Sequence, residues 1–259
     1  MPLVSPEIFA KQIIASVQDY SILSWRAIAN LFSRPRYWAD IYSQMDSIGV
    51  GSMPIVVLTG FFTGCVLALQ SATSLQAFGS VSLTGNLVAL SMVKELGPVL
   101  TGLMVSGRNA SGMASEIGSM RVTEQIDAMR ALGTDPVRKL VTPRLYATVF
   151  MLFFLTIVSD AVGIAGGALV SVTLMGLNAS SYFHNSYRAL QYGDVVQGLT
   201  KPLFSGFIIA TVGCYFGMTT KGGTQGVGKA TTQAVVYSSV FIIIVDFIVS
   251  RAMIGIFGR

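Results

Sequence analysis

The sequence predicts an all-α integral membrane protein, and three observations lead to this prediction. Of the 259 residues, 52% are hydrophobic and only 11% are charged, whereas about a quarter of the residues of a soluble domain are charged. No Asp, Glu, Lys or Arg occurs between Asp46 and Lys94. About 20 apolar residues suffice to cross the ~30 Å hydrocarbon core of a bilayer, so this stretch alone accommodates one crossing and most of a second.

The N-terminal region is expected to lie in the membrane interface rather than to cross the membrane. Residues 5–34 carry apolar side chains at helical spacing, but polar residues such as Asp19 and Arg26 interrupt them too often for a span. We therefore divide the chain into an N-terminal interfacial helix, residues 1–45, and a five-span domain, residues 46–259.

Five membrane crossings are predicted, each a long apolar run with few charged residues. Glycines spaced four residues apart within these runs allow close approach of helix backbones and predict packing seams. The approximate limits of the spans are residues 48–69, 83–107, 145–174, 203–219 and 230–254, and the glycine pairs are Gly60 with Gly64, Gly163 with Gly167, and Gly213 with Gly217.

The segment 108–144, between the second and third spans, is too polar to cross a membrane. Val122, Ile126, Met129 and Leu132 recur at steps of four and three, which predicts a helix of about 11 residues with one apolar face. Such a segment is either a docking element for a soluble partner or a solvated connecting helix, and the residue pattern leaves both interpretations open.

Turn residues predict how this segment continues. Gly133 suits the position after a helix C-terminus, and Asp135 followed by Pro136 predicts the start of a second short helix. Pro143 is expected to close that second helix just before the third span.

Basic residues predict that the segment and the N-terminus are cytoplasmic, because cytoplasmic connections of membrane proteins are enriched in Lys and Arg. This orientation places 12 of the 17 basic residues on the cytoplasmic side: Lys11, Arg26, Arg34, Arg36, Arg108, Arg121, Arg130, Arg138, Lys139, Arg144, Lys221 and Lys229. Because the basic residues follow this topological pattern, we predict no nucleic-acid partner.

Two stretches carry a resemblance to a known family. Residues 95–118, ELGPVLTGLMVSGRNASGMASEIG, and residues 120–144, MRVTEQIDAMRALGTDPVRKLVTPR, closely resemble the MlaE/YrbE permease family. The second pattern is long and idiosyncratic, and the similarity extends from about Ser47 to the C-terminus. The resemblance implies the homodimeric, multi-pass permease of an ABC transporter in the bacterial inner membrane, which moves glycerophospholipids between the inner and outer membranes and maintains outer-membrane lipid asymmetry.

The same resemblance implies partners and a coupling site. The expected partners are a cytoplasmic ABC-type ATPase (MlaF-like), a STAS-domain protein bound to that ATPase (MlaB-like), a periplasmic hexamer of MCE-domain subunits (MlaD-like) and phospholipid. By this resemblance the segment 108–144 contains the coupling helix that the ATPase contacts. The residues expected to make these contacts are Glu116, Arg121, Glu124, Gln125, Asp127 and Arg130.

Five charged residues are predicted at membrane depth, where ionisable groups are costly and therefore suggest function. One of them, Asp160, is expected to be structural or to line water. Lys94 and Glu95 are adjacent and point about 100° apart on a helix, so we expect Asp246 to pair with Lys94, and Lys201 to pair with Glu95. The resemblance places these four residues near the lipid cavity. Either the two lysines attract a phosphate head group, or the four residues form a structural ion-pair network.

An apolar groove for acyl chains is expected at the end of the first span, because burial of apolar surface supplies the affinity. The resemblance places the lipid pocket at Leu67, Leu69, Gln70, Leu75 and Phe78.

No catalytic or metal site and no cofactor are predicted for this chain. His184 is the only histidine, which excludes a His-based triad. Residues 223–230 resemble a phosphate-binding loop but carry Ala230 where Ser or Thr would hold magnesium, so we expect a flexible glycine-rich loop instead. ATP and magnesium are expected on the partner ATPase. The alternative functions are an ion-coupled lipid carrier using Lys94, Glu95, Asp160 and Asp246, and a scaffold that anchors the periplasmic ring.

Overall fold

The computed structural model describes residues 6–31 and 37–257, and every regular element among them is helical. These elements confirm the predicted all-α class. The helices are α1 (Pro6–Leu31), α2 (Trp38–Met45), α3 (Gly51–Gln76), α4 (Thr84–Ser91), α5 (Gly97–Val105), α6 (Ser111–Val122), α7 (Gln125–Ala131), α8 (Thr142–Thr173), α9 (Ala179–Ala189), α10 (Tyr192–Met218) and α11 (Gly223–Phe257).

Five continuous helical segments are long and apolar enough to cross a membrane, as predicted. The first segment begins at Trp38, so the expected domain boundary at residue 46 lies inside it. The fourth begins at Tyr192, eleven residues before its predicted start at Leu203. We call them spans 1 to 5: Trp38–Gln76, Val81–Val122, Val137–Thr173, Tyr192–Met218 and Gly223–Ile256.

Wider π-helical turns join several of the helices into these spans. They are found at Asp46–Val50, Met92–Leu96, Ser106–Ala110 and Val137–Val141. The last of them leads directly into α8, whose first turn contains Pro143. The prediction that Pro143 closes a separate short helix is therefore wrong. Proline is tolerated in the first turn of an α-helix, because the backbone N–H that it lacks would have no partner within the helix there.

Spans 1 and 3 meet along the predicted glycine seam. A Cβ atom at Gly60 would lie 2.9 Å from the carbonyl oxygen of Ser159, and one at Gly64 would overlap the backbone of Gly163. Any larger residue at these positions would force the two helices apart, so the glycines set their separation.

Spans 2 and 4 are packed in the same way. A Cβ atom at Gly217 would lie 2.8 Å from the Cβ of Ile117, and one at Gly213 would lie 3.1 Å from the Cα of Ala110. Cys214, on the same part of α10, is buried and unpaired, as expected of a packing residue. The glycine pairs thus confirm the predicted close packing of the spans.

Helix α1 packs along one side of spans 3 and 4. Ala27 is buried against the core, and the hydroxyl groups of Tyr20 and Thr211 are 2.9 Å apart. Trp25 on the opposite face is 72% exposed. This one-sided burial is consistent with the amphipathic helix predicted from the sequence.

Helix α9, between spans 3 and 4, is fastened to α4. The Ser186 hydroxyl donates to the carbonyl of Gly85 at 3.1 Å, and the Asn185 amide donates to the carbonyl of Ser82 at 2.9 Å. Tyr182 is buried, and burial raises the pKa of its phenol, so the hydroxyl stays protonated and donates to Ile164 in span 3.

Residues 223–230 form the first two turns of α11, so the expected glycine-rich loop is helical instead. A helical backbone directs its N–H groups along the axis and cannot wrap around a phosphate as a Walker loop does.

Candidate functional site

The polar connection between spans 2 and 3 is built around α7. Helix α6 ends at Val122, and Glu124 then adopts a left-handed conformation with φ of 61° before α7 starts at Gln125. Such a conformation is uncommon for a residue other than glycine. Gly133, with φ of 75°, ends the helix, as predicted. The two left-handed residues turn the chain sharply at both ends, so α7 is a short, separately oriented element.

The predicted apolar face of this element is only half covered. Ile126 is fully buried in a core cluster with Ile117 and Leu140. Leu132, however, is 84% exposed. Ile126, with Met129 packed against the same cluster, therefore anchors α7 to the spans, and Leu132 projects from the molecule.

Three charged residues, which we call the α7 cluster, surround this helix. The Nη1 atom of Arg121 lies 2.6 Å from Oδ1 of Asp127, and Nη1 of Arg130 lies 3.1 Å from the same oxygen. All three side chains are at least one third exposed. The predicted contact residues Glu124 and Gln125 are also exposed.

Glu116 occupies a different environment from the rest of the predicted coupling set. It lies on α6, and its Oε2 atom is 2.7 Å from Nη2 of Arg144 at the start of span 3. Arg144 is buried although Glu116 is half exposed. A neighbouring pair, Lys139 with Asp40, joins the same region to α2, and both pairs line a cavity of about 170 Å³. These pairs tie the ends of spans 1, 2 and 3 together.

A second group of charges lies inside the spans. Lys201 is almost completely buried and forms ion pairs with Glu95 of span 2 and with Asp246 of span 5, the latter at 3.0 Å. Glu95 also accepts hydrogen bonds from Gln197 at 3.2 Å and from Ser250 at 3.1 Å. The predicted pairing of Lys201 with Glu95 is confirmed.

The predicted partner of Lys94 is wrong, because its Nζ atom lies 2.9 Å from Oδ1 of Asp194 rather than beside Asp246. Lys94 is in the π-helical turn Met92–Leu96, and Asp194 is in the first turn of α10. We call the five charged residues of this group the intramembrane cluster: Lys94, Glu95, Asp194, Lys201 and Asp246. Three carboxylates share two lysines in it.

The predicted acyl-chain residues separate into two sets. Leu67 and Gln70 line a groove of about 340 Å³ between α3 and Leu96, the residue that follows Glu95. Leu69, Leu75 and Phe78 are not among the residues that line it, and Phe78 is 80% exposed beyond the end of α3. The groove lies between span 1 and Leu96 of span 2, and none of the charged residues of the intramembrane cluster lines it.

A larger apolar groove was not predicted from the sequence. It encloses about 640 Å³ between α1, α8 and α10. Tyr146 and Phe150 stack one turn apart along α8, a spacing that marks a helix face but does not reveal a groove. Its remaining lining residues are Ile28, Leu31, Leu145, Val149, Phe153, Leu203, Phe204 and Phe207.

Five long apolar helices, charges buried at membrane depth and a short polar helix between spans 2 and 3 define a multi-pass membrane protein of the permease type. A family model described as "Permease MlaE" matches residues 41–252. The chain therefore belongs to the MlaE permease family.

Relatives support this placement. The chain is 42% identical to a "Probable ABC transporter permease protein" of Rickettsia bellii, over 91% of each chain. It is 32% identical to the "Intermembrane phospholipid transport system permease protein MlaE" of Haemophilus influenzae, over 95% of each chain. It is also 36% identical, over 88% of its length and 65% of the relative, to "Protein TRIGALACTOSYLDIACYLGLYCEROL 1, chloroplastic" of Arabidopsis thaliana. The chain is thus a permease of the ABC-transporter class.

Proposed function

We propose that this chain is the permease subunit of an ATP-driven transporter that moves glycerophospholipids between the inner and outer bacterial membranes and so maintains lipid asymmetry. In this proposal the chain lies in the inner membrane with its N-terminus in the cytoplasm. ATP and magnesium bind to a separate ATPase subunit, whose closure rearranges the spans and the lipid-binding grooves.

The observation that carries the proposal is the half-covered face of α7. Ile126 fixes the helix to the core, whereas Leu132 projects beside the exposed residues of the α7 cluster. An apolar side chain surrounded by charges is typical of the centre of a protein–protein contact. We assign α7, with Glu124 and Gln125 at its start, as the coupling helix that the ATPase contacts.

Glu116 has a different role in this proposal. Its pairing with buried Arg144 supports a structural function that holds the end of α6 against span 3. Force on α7 then reaches span 2 directly, because α6 is the last helix of that span, and span 3 through Arg144.

The proposed assembly is a homodimer with a STAS-domain protein on the ATPase and a periplasmic hexamer of MCE-domain subunits. Exposed apolar side chains along α3 and α11, such as Phe62, Val66 and Phe247, support burial of these faces against lipid or a second copy. The exposed aromatic residues Phe183 and Tyr187 lie on α9, at the opposite end of the spans from α7.

The lipid site is proposed along the α3 groove. Leu67 provides apolar surface, and Gln70 provides one polar group. Of the two lysines, Lys94 is better suited to attract a phosphate, because its side chain is 25% exposed and has one carboxylate partner. Lys201 is 2% exposed and already contacts two carboxylates.

The test is reconstitution with and without the ATPase. Purified permease is placed in vesicles containing fluorescent phosphatidylglycerol, with the ATPase and ring subunits supplied separately, and transfer to acceptor vesicles is measured. We expect transfer that requires both the ATPase and ATP. Transfer that proceeds without either would contradict the proposal.

Two variants test the coupling assignment. Leu132→Asp and Glu124→Lys should insert normally but retain less ATPase during purification, because each changes only an exposed side chain of the docking surface. Lys229→Gln, an exposed change in α11, serves as the control. Normal retention and transport in both α7 variants would remove the coupling role from α7.

An ion-coupled carrier is the second candidate, and Asp160 is the observation that favours it. Asp160 is buried in span 3 against Gly97, and its Oδ1 atom has no hydrogen-bond partner among the described residues. A buried carboxyl group without a partner is a candidate proton site. A proton uncoupler would abolish transfer by such a carrier and leave ATP-driven transfer intact. If the chain is only a scaffold, substitutions in α7 should leave lipid transfer unchanged.

A further inference from the structure

Arg108 differs from every lysine of the intramembrane cluster in having no acidic partner. It lies in the π-helical turn Ser106–Ala110 of span 2, and its side chain is exposed. No carboxylate of the described residues is within ion-pair distance of its guanidinium. An exposed guanidinium without a carboxylate partner has its charge available for an external anion.

The guanidinium is held firmly by neutral groups. Its Nη1 atom donates to the carbonyl of Ser47 at 2.8 Å, to the hydroxyl of Ser52 at 3.0 Å and to the amide oxygen of Asn109 at 3.3 Å. Ser52 and Asn109 are buried and are themselves hydrogen-bonded at 3.2 Å. An arginine that merely reaches toward the membrane surface needs no such support, so this side chain is preorganised.

The other half of the guanidinium remains available. Within the described part of the chain, Nε and Nη2 of Arg108 have no hydrogen-bond partner. Gly51 makes room for the group, since a Cβ atom there would overlap Nη2 and lie 2.8 Å from Nη1. Free N–H groups in the fork of an exposed arginine suit the oxygens of a phosphate.

Exposed apolar surface lies beside the free N–H groups. The guanidinium lies against Gly51, and Val50 and Met53, which flank Gly51 on the same helical segment, are exposed. An anion attached to an apolar tail fits both features.

We propose that Arg108 binds the phosphate of a phospholipid in the cytoplasmic leaflet, at the point where lipid enters or leaves the permease. The assignment to the cytoplasmic leaflet rests on the orientation given in the proposed function. The binding chemistry does not, because it follows from the guanidinium and its supports. A free inorganic phosphate offers the same oxygens, and the experiment separates the two sources.

The experiment places a photoreactive p-benzoylphenylalanine at position 50, next to the site, in the purified permease without any ATPase. The protein is reconstituted in nanodiscs of phosphatidylglycerol and phosphatidylcholine and irradiated, and cross-linked lipid is quantified by mass spectrometry. Arg108→Gln should lower the yield about tenfold, the effect of losing a charged hydrogen bond. Arg108→Lys should lower it less, because a lysine keeps the charge but loses the fork.

Two further variants control for indirect effects. Lys229→Gln removes the same charge from an exposed residue of α11 and should leave the yield unchanged. Gly51→Ala keeps the arginine but displaces its guanidinium, so it should lower the yield without changing net charge. This second variant keeps the test informative if Arg108→Gln does not fold.

Several outcomes would overturn the inference. An unchanged yield in both Arg108→Gln and Gly51→Ala would show that the site holds no lipid phosphate. Thermal stabilisation by inorganic phosphate that requires Arg108, with a lipid cross-linking yield that does not depend on Arg108, would assign the site to free phosphate. If ATP-driven transfer fails while cross-linking still depends on Arg108, the proposed function is refuted but the lipid site at Arg108 is not.

Discussion

The intramembrane cluster and the α7 cluster contain the same chemical groups in opposite surroundings. In the first, Lys201 is 2% exposed and contacts two carboxylates from different spans. In the second, Asp127 is 50% exposed and contacts two arginines within or next to its own helix. The distances are similar, so the main difference between them is the burial of the cation, which is 2% exposed in Lys201 and 33% and 54% exposed in Arg121 and Arg130.

This difference separates a structural from a recognition role. A buried ion pair is strongly destabilising to break, because the remaining charge loses both its partner and water. An exposed pair contributes little, because water replaces the lost partner. The intramembrane cluster is therefore expected to hold spans 2, 4 and 5 in register, whereas the α7 cluster is free to exchange its contacts with a partner. The Glu116–Arg144 pair, with one buried and one exposed member, lies between these limits.

The largest effect is expected from Lys201→Met. The change leaves Asp246, whose side chain is 17% exposed, without its cation, and breaking a buried pair in this way costs about 3–5 kcal/mol. Glu95 is 45% exposed and therefore contributes less to the loss. The apparent thermal midpoint in detergent, followed by size-exclusion chromatography of heated samples, should fall sharply.

Two controls sharpen this prediction. Lys201→Arg keeps the charge and should retain most of the stability. A triple variant, Glu95→Gln, Lys201→Met and Asp246→Asn, removes every charge of the trio and should recover much of the loss. If Lys201→Met melts with the parent protein, the structural interpretation of the intramembrane cluster is wrong.

An intermediate effect with an unusual asymmetry is expected at Glu116 and Arg144. Removing the half-exposed member, with Glu116→Ala, leaves the buried guanidinium of Arg144 without its counter-ion. Removing the buried member, with Arg144→Met, leaves a carboxylate that water can hydrate. Glu116→Ala should therefore cost more, about 1.5–3 kcal/mol, the contribution of a hydrogen bond to a charged group. The same thermal measurement compares them, and an equal or reversed order would contradict the argument.

Sequence reasoning was accurate where a local pattern directly specifies a contact. The glycine pairs predicted the seams at Gly64 and Gly217, since only glycine permits such backbone proximity. The pairing of Lys201 with Glu95 could also be predicted, because two opposite charges at membrane depth are expected to meet.

The prediction from the sequence was wrong where polar residues are buried inside a span, because composition does not distinguish buried from exposed polar residues. Asp194 and Gln197 made the start of α10 look too polar to belong to a span, although both are buried against span 2. The partner of Lys94 was missed for that reason. Likewise, periodicity identified Ile126 and Leu132 as one apolar face, but periodicity does not show which residues the chain itself covers.

The smallest effect on stability is expected at the α7 cluster, and there the comparison predicts a separation of stability from function. Asp127→Asn removes the acceptor shared by Arg121 and Arg130, yet the pairs are exposed and screened by salt. The cost should be about 0.2–1 kcal/mol and should shrink further as salt is raised.

Function should respond differently, because Asp127 lies on the surface assigned to the ATPase. Asp127→Asn should change the thermal midpoint little while reducing both ATPase retention and ATP-driven transfer. Asp40→Asn, which breaks the pair with Lys139 away from α7, is the matched control for loss of a half-exposed carboxylate. A midpoint that falls sharply with retention in Asp127→Asn would show that the α7 cluster stabilises the fold, and the distinction drawn from burial would then fail.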